Sequence, residues 1–206
     1  MRRQQGMRLD ERYVPYLQMA GLYHLARLND RWFRLDESLV SAFVERWRSE
    51  THTFHMPFGE STITLQDVAY QLGLSVDGHY VSGCLADFHV YIEVAGQLGS
   101  GSMSCLLFDD KSGNRIHIRW LPFVARLEEM GGYSWGSAAL AWLYRCMCRV
   151  ANRHVVKLAG PLQLLQSWIF WRFPGFRPAG YDVFSWPLAS RWSGYNPGIS
   201  EKGPRV

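Results

Sequence analysis

The chain has 206 residues, 48% of them apolar and 15% aromatic, enough material to close a hydrophobic core within one domain. Its net charge of +4 is almost entirely an arginine effect, since Lys111, Lys157 and Lys202 are the only lysines. No apolar run reaches the roughly 18 residues that span a bilayer, and the opening MRRQQGMRLDERY lacks the apolar centre of a signal peptide, so a cytosolic or nuclear protein is expected.

In chain order, residues 1–12 read as a flexible N-terminus. Pro15 suits the first turn of a helix, and Leu17, Ala20, His24 and Leu28 mark one face that runs to Asn29-Asp30. On that face His24 is a core or interfacial histidine. Asp36 reads as an N-cap, and Leu39, Val40, Phe43, Val44 and Trp47 then recur at the spacing of an apolar stripe, which predicts a helix from Glu37 to about Arg48. Residues 51–56 switch to alternation, with Thr51, Thr53 and His55 on one face and His52, Phe54 and Met56 on the other. Pro57 to Glu60 supply turn chemistry before the stretch Ser61 to Thr64, so a short β-hairpin is predicted. Thr64 and Asp67 form a capping-box pattern. Leu65, Val68, Ala69 and Leu72 share a helical face behind it, and Gly73 ends the helix.

Gly78, Gly83 and the residues to Asp87 read as loop, His89 to Val94 fit no single element, and Asp109 to Asn114 form a turn before alternation sets in from Arg115 to Trp120. Tyr133 to Arg149 is apolar nearly all round, which predicts the central helix of the fold. Pro161 opens another helix in which Leu162, Leu165, Trp168 and Ile169 share a broad face, and Pro174 ends it. Prolines and glycines break any regular element beyond that point. Trp186, Trp192 and Tyr195 nevertheless imply that the first part docks back, leaving 193–206 as a disordered tail. The sum is a mainly α, compact helical domain over 13–192 with one or two short β-hairpins.

No catalytic, cofactor-binding or metal-binding set emerges. Glu50, His52, His55 and Glu60 invite a metal reading, but side chains alternate along a strand, so His52 and His55 point to opposite faces. Cys84, Cys105, Cys146 and Cys148 contain no CxxC pair, and Cys146 and Cys148 lie about 200° apart on a helix, which fits free thiols. Ser134 and Ser137 lack a nucleophile-elbow pattern and fit an N-cap role. Arg145, Arg149 and Arg153 stand at four-residue steps along one helical face. They are the candidate contact for a phosphate or a partner, against the plainer account of a solvated face.

The segments ERWRSETHTFHMPFGESTITLQDVAYQLGL, DDKSGNRIHIRWLPF, YSWGSAALAWLYR and LLQSWIFWRFP, with YVPYLQMAGLYHLARL before them and ASRW after, resemble successive blocks of the plant mobile domain family, also called aminotransferase-like or maintenance-of-meristems-like. The resemblance implies a plant domain shared between host genes and transposable elements. It implies a nuclear role in meristem maintenance and in silencing of transposons and genes, no established catalytic residues, and in some cases a phosphatase-like protein as partner. The aminotransferase label finds no support in the residues. A pyridoxal-phosphate enzyme needs a lysine beside a phosphate cup, and Lys111, Lys157 and Lys202 have none nearby. The chain also departs from the family in its middle, where only Ser100 to Leu106 stand in place of a longer stretch that includes a helix. Loss of such a segment would uncover apolar surface on its former neighbours. The expected function is a non-catalytic nuclear interaction module without cofactor, and the alternative is a nucleic-acid-binding accessory domain of transposable-element origin.

Overall fold

The computed structural model describes residues 11, 14–25, 33–81, 127–151, 160–183 and 186–197. Most of the expected N-terminal arm, Cys84, Cys105, His89 to Val94, the Asp109 to Trp120 region, Arg153 and the three lysines lie outside the described residues.

Helix α1, Val14–Met19, is shorter than its apolar spacing predicts. It stops in a Schellman motif: Gly21 takes φ 68°, its N–H reaches the Gln18 carbonyl at 3.1 Å, and the Leu22 N–H reaches the Leu17 carbonyl at 2.8 Å. The face expected to continue through His24 and Leu28 is therefore interrupted at a left-handed glycine. Helix α2, Glu37–Val44, starts as expected, with Asp36 Oδ1 accepting from the Leu39 N–H at 3.0 Å. It ends four residues before the predicted Arg48, because Trp47–Arg48 form strand β1. Trp47 is 1% exposed in that strand. A helix or a strand would bury it equally, so the periodicity could not choose between them.

Strands β1, β2 (Thr53–Met56) and β3 (Gly59–Ser61) make an antiparallel sheet in sequence order, two hairpins sharing β2. Trp47 pairs with Phe54 and Phe54 with Ser61, so one row faces the core while Thr53, His55 and Glu60 stay outside. Helix α3, Leu65–Leu72, carries the full Thr64–Asp67 capping box and ends at Gly73 with φ 65°. Its buried face is turned from the predicted one: Leu65 is 40% exposed, and Gln71 at 1% takes the inner place beside Val68 and Leu72. Gln71 tolerates burial because its side-chain carbonyl accepts the Ser167 hydroxyl at 2.5 Å.

Helix α4, Trp135–Ala151, is not the centre of the fold. It buries Trp135, Gly136, Ala139, Leu143, Cys146 and Met147, while Ala141, Arg145 and Arg149 are exposed. The centre is α5, Leu162–Arg172, in which every residue from Leu162 to Phe170 is buried. It packs on α2 and α3 and on two single-turn segments, Pro174–Phe176 and Leu188–Trp192. Trp192 and Tyr195 close over it, with ring centroids 5.1 and 5.2 Å from Phe170. Packing thus extends past residue 192, since Tyr195 is buried and its carbonyl accepts the Arg34 N–H at 2.8 Å. Trp186 does not join this core and remains 56% exposed.

Candidate functional site

Four short segments meet around an open cleft of about 720 Å³. The Schellman stop of α1 brings Met19 to Leu22 to one side. Gln66, Ala69, Tyr70 and Gly73, at helical spacing on the outer side of α3, form the other. Gly131 and Val76 close one end and Trp186 stands at the rim. The lining contains no charged side chain. Its floor is made of small groups, among them Ala20, Gly21, Ala69 and Gly131, while the large groups Met19, Tyr70 and Trp186 stand 62%, 49% and 56% exposed. Tyr70 and Trp186 meet edge to face with centroids 6.2 Å apart.

Glycines set how closely these segments approach. A Cβ on Gly131 would lie 3.0 Å from the Met19 carbonyl oxygen, and one on Gly136 would lie 2.9 Å from the Val76 side chain. Behind the cleft, His24 Nε2 lies 2.9 Å from the Leu72 carbonyl oxygen and donates to it, satisfying a free acceptor at the end of α3. Burial pushes the His24 pKa below its ordinary 6.5, with backbone bonds at Leu72 and Gly73 opposing. The arrangement offers apolar surface and shape. Its chemistry is that of binding bulky apolar side chains.

The residues singled out in the sequence fall elsewhere. Arg145 and Arg149 lie exposed on α4, as the four-residue spacing requires, with Cys146 between them. Burial pushes the Cys146 thiol up, against the opposing charges of Arg149 and Arg145. His52 and His55 do separate: His52 stacks on Tyr144 at 5.7 Å, whereas His55 lies 3.5 Å from Glu60 and 3.4 Å from Thr51. Among the described residues no three His, Cys, Asp or Glu side chains are grouped to hold a metal ion. Ser134 occupies the N-cap position of α4, its carbonyl accepting the Ala138 N–H at 3.2 Å, and its hydroxyl donates to the Val76 carbonyl at 2.8 Å. Among the described residues no helix is long and apolar enough to cross a membrane.

These features define a mainly helical domain with a three-stranded sheet and an apolar surface cleft. A family model of the plant mobile domain matches residues 21–98 and 100–203, and the chain belongs to that family. Among relatives from Arabidopsis thaliana it is 36% identical to "Serine/threonine-protein phosphatase 7 long form homolog", over 84% of this chain and 16% of that protein. It is 32% identical to Protein MAINTENANCE OF MERISTEMS, over 79% of this chain and 44% of the relative, and 28% identical to Protein MAIN-LIKE 1, over 91% and 45%. The chain thus spans less than half the length of these relatives. No solved structure matches.

Sequence reasoning missed the cleft. Its lining comes from residues 19–22, 66–76, 131–135 and 186, which no periodicity connects. The available signals were Gly21 and Gly73 as helix stops and Trp186 as a large apolar residue among prolines and glycines.

Proposed function

We propose that this chain is a non-catalytic protein-docking module of a plant nuclear assembly that serves meristem maintenance and the silencing of transposons and genes. The observation that carries the docking reading is the uncharged cleft, walled by exposed Met19, Tyr70 and Trp186. Aromatic and methionine side chains of this kind are what protein interfaces concentrate at their centres. The nuclear and meristem roles are supported by membership of the family and by the likeness to Protein MAINTENANCE OF MERISTEMS. A phosphatase-like protein is the proposed partner, because the matched region also forms 16% of a protein named as a phosphatase homologue.

The test is to express the tagged chain and its Ala69→Arg variant in plant cells and follow localisation and association with the phosphatase homologue. Nuclear signal with an association that Ala69→Arg abolishes is the expected result. Equal association by both proteins overturns the docking role of the cleft, and exclusion from the nucleus overturns the nuclear assignment.

A second reading, contact with nucleic-acid phosphates, is favoured by the exposed Arg145 and Arg149 on one face of α4. Phosphate binding would fall steeply with added salt, and an apolar interface would not. Retention on DNA or RNA at low salt that Arg145→Glu with Arg149→Glu removes would support it, and no retention would end it.

A further inference from the structure

The cleft has an uncovered look that the length of the chain explains. Alignments to Protein MAIN-LIKE 1 and Protein MAIN-LIKE 2 run over 232 and 233 positions, more than the 206 residues present, so these relatives carry residues that this chain lacks. The family match breaks at residue 99. The described chain leaves at Val81 and returns at Leu127, and both ends are fastened beside the cleft. His79 pairs with Tyr133 in a parallel bridge, its N–H on the Gly132 carbonyl at 2.8 Å and its carbonyl on the Ser134 N–H at 2.9 Å. The Gly136 N–H donates to the Ser75 carbonyl at 2.7 Å. Val76 and Gly131, just inside these fastenings, line the cleft. A longer middle inserted at the break would leave and re-enter the domain at this place.

Resting on the docking reading of the same cleft, we propose that it is the seat of the segment missing at residue 99, and that its occupant is the corresponding segment of a longer plant mobile domain, supplied by a second polypeptide. The chemistry defines what that segment must bring. An uncharged, small-residue floor between Met19, Tyr70 and Trp186 takes bulky apolar side chains and leaves no buried countercharge for an ionic one. The chain is then one part of a domain completed in trans.

The experiment mixes the full 206-residue chain with a synthetic peptide bearing the residues of Protein MAIN-LIKE 1 that stand opposite the break. Calorimetry and tryptophan fluorescence read binding, and thermal unfolding reads linkage. Saturable one-to-one binding is expected, with a blue shift from Trp186, a raised Tm, and at least a tenfold loss of affinity in Ala69→Arg. Trp186→Ala serves as the second variant, since an exposed side chain can be removed without opening the core. No saturable binding, equal binding of a scrambled peptide, or unchanged affinity in both variants overturns the proposal. Should the peptide fail while Ala69→Arg still abolishes association with the phosphatase homologue, the trans-completion idea falls and the docking reading stands. If the peptide binds the cleft but Ala69→Arg leaves that association intact, the opposite holds.

Discussion

His24 fastens two segments, with its ring against Gly73 and its Nε2 on the Leu72 carbonyl. Because burial lowers its pKa below 6.5, the folded chain binds a proton there less readily than the unfolded chain does. Stability contributed by neutral His24 is therefore complete above about pH 6.5 and is lost as pH falls towards the folded-state value. The Tm gap between wild type and His24→Asn should be widest at pH 7.5 and narrow progressively towards pH 5, and a gap independent of pH would contradict this. Gly73→Ala tests the same place from the other side. A left-handed alanine costs about 1–2 kcal/mol, and here its Cβ would meet His24 Nε2 at 2.7 Å. Chemical denaturation should show at least that loss, and the acid sensitivity should weaken as the imidazole is displaced. Gly73 and the Thr64–Asp67 box were legible in the sequence, because caps are local chemistry. His24's partner was not, since it lies 48 residues away.

At the scale of elements, α5 shows where periodicity misleads. Its Gln163, Gln166 and Ser167 interrupt the apolar pattern, and the sequence assigns such residues to solvent, yet all three are buried. Two of them hold other elements in place. Gln166 Oε1 accepts the Asp36 N–H at 2.8 Å and Gln166 Nε2 donates to the Arg34 carbonyl at 3.2 Å, fixing the entry to α2. Ser167 donates to Gln71 on α3 and accepts from Trp192 Nε1 at 3.1 Å. The more uniformly apolar sequence around α4 suggested a central helix, but alanines can sit on a surface without cost, whereas buried amides must be paired. Gln166→Leu keeps the volume and leaves two backbone groups unpartnered, which should cost about 1–3 kcal/mol. A fall in the urea midpoint with an unchanged slope would verify it, and an unchanged midpoint would refute it. β1 was illegible for a different reason: two residues are too few for alternation to show.

Across the whole molecule, the mainly helical class and the small sheet were readable, because caps, turns and apolar stripes agreed with one another. The site was not, because it exists only after distant segments close on one another. The C-terminal boundary illustrates the limit: proline and glycine content pointed to a tail from 193, while Tyr195 is 8% exposed against Phe170 and Tyr181. Truncation after Trp192 should cost about 2–3 kcal/mol from the lost aromatic burial, and truncation after Pro197 should leave that contribution intact. Comparison of the two by thermal unfolding decides the matter. The bridge between His79 and Tyr133 carries one more consequence. It pins both ends of the interval 82–126 to the same scaffold, so the entropy of closing that interval depends only logarithmically on its length, about 0.6 kcal/mol for each doubling. A domain clamped in this way can shed or gain a middle segment over evolutionary time with little effect on the free energy of closure, so variation in length falls between the clamped points.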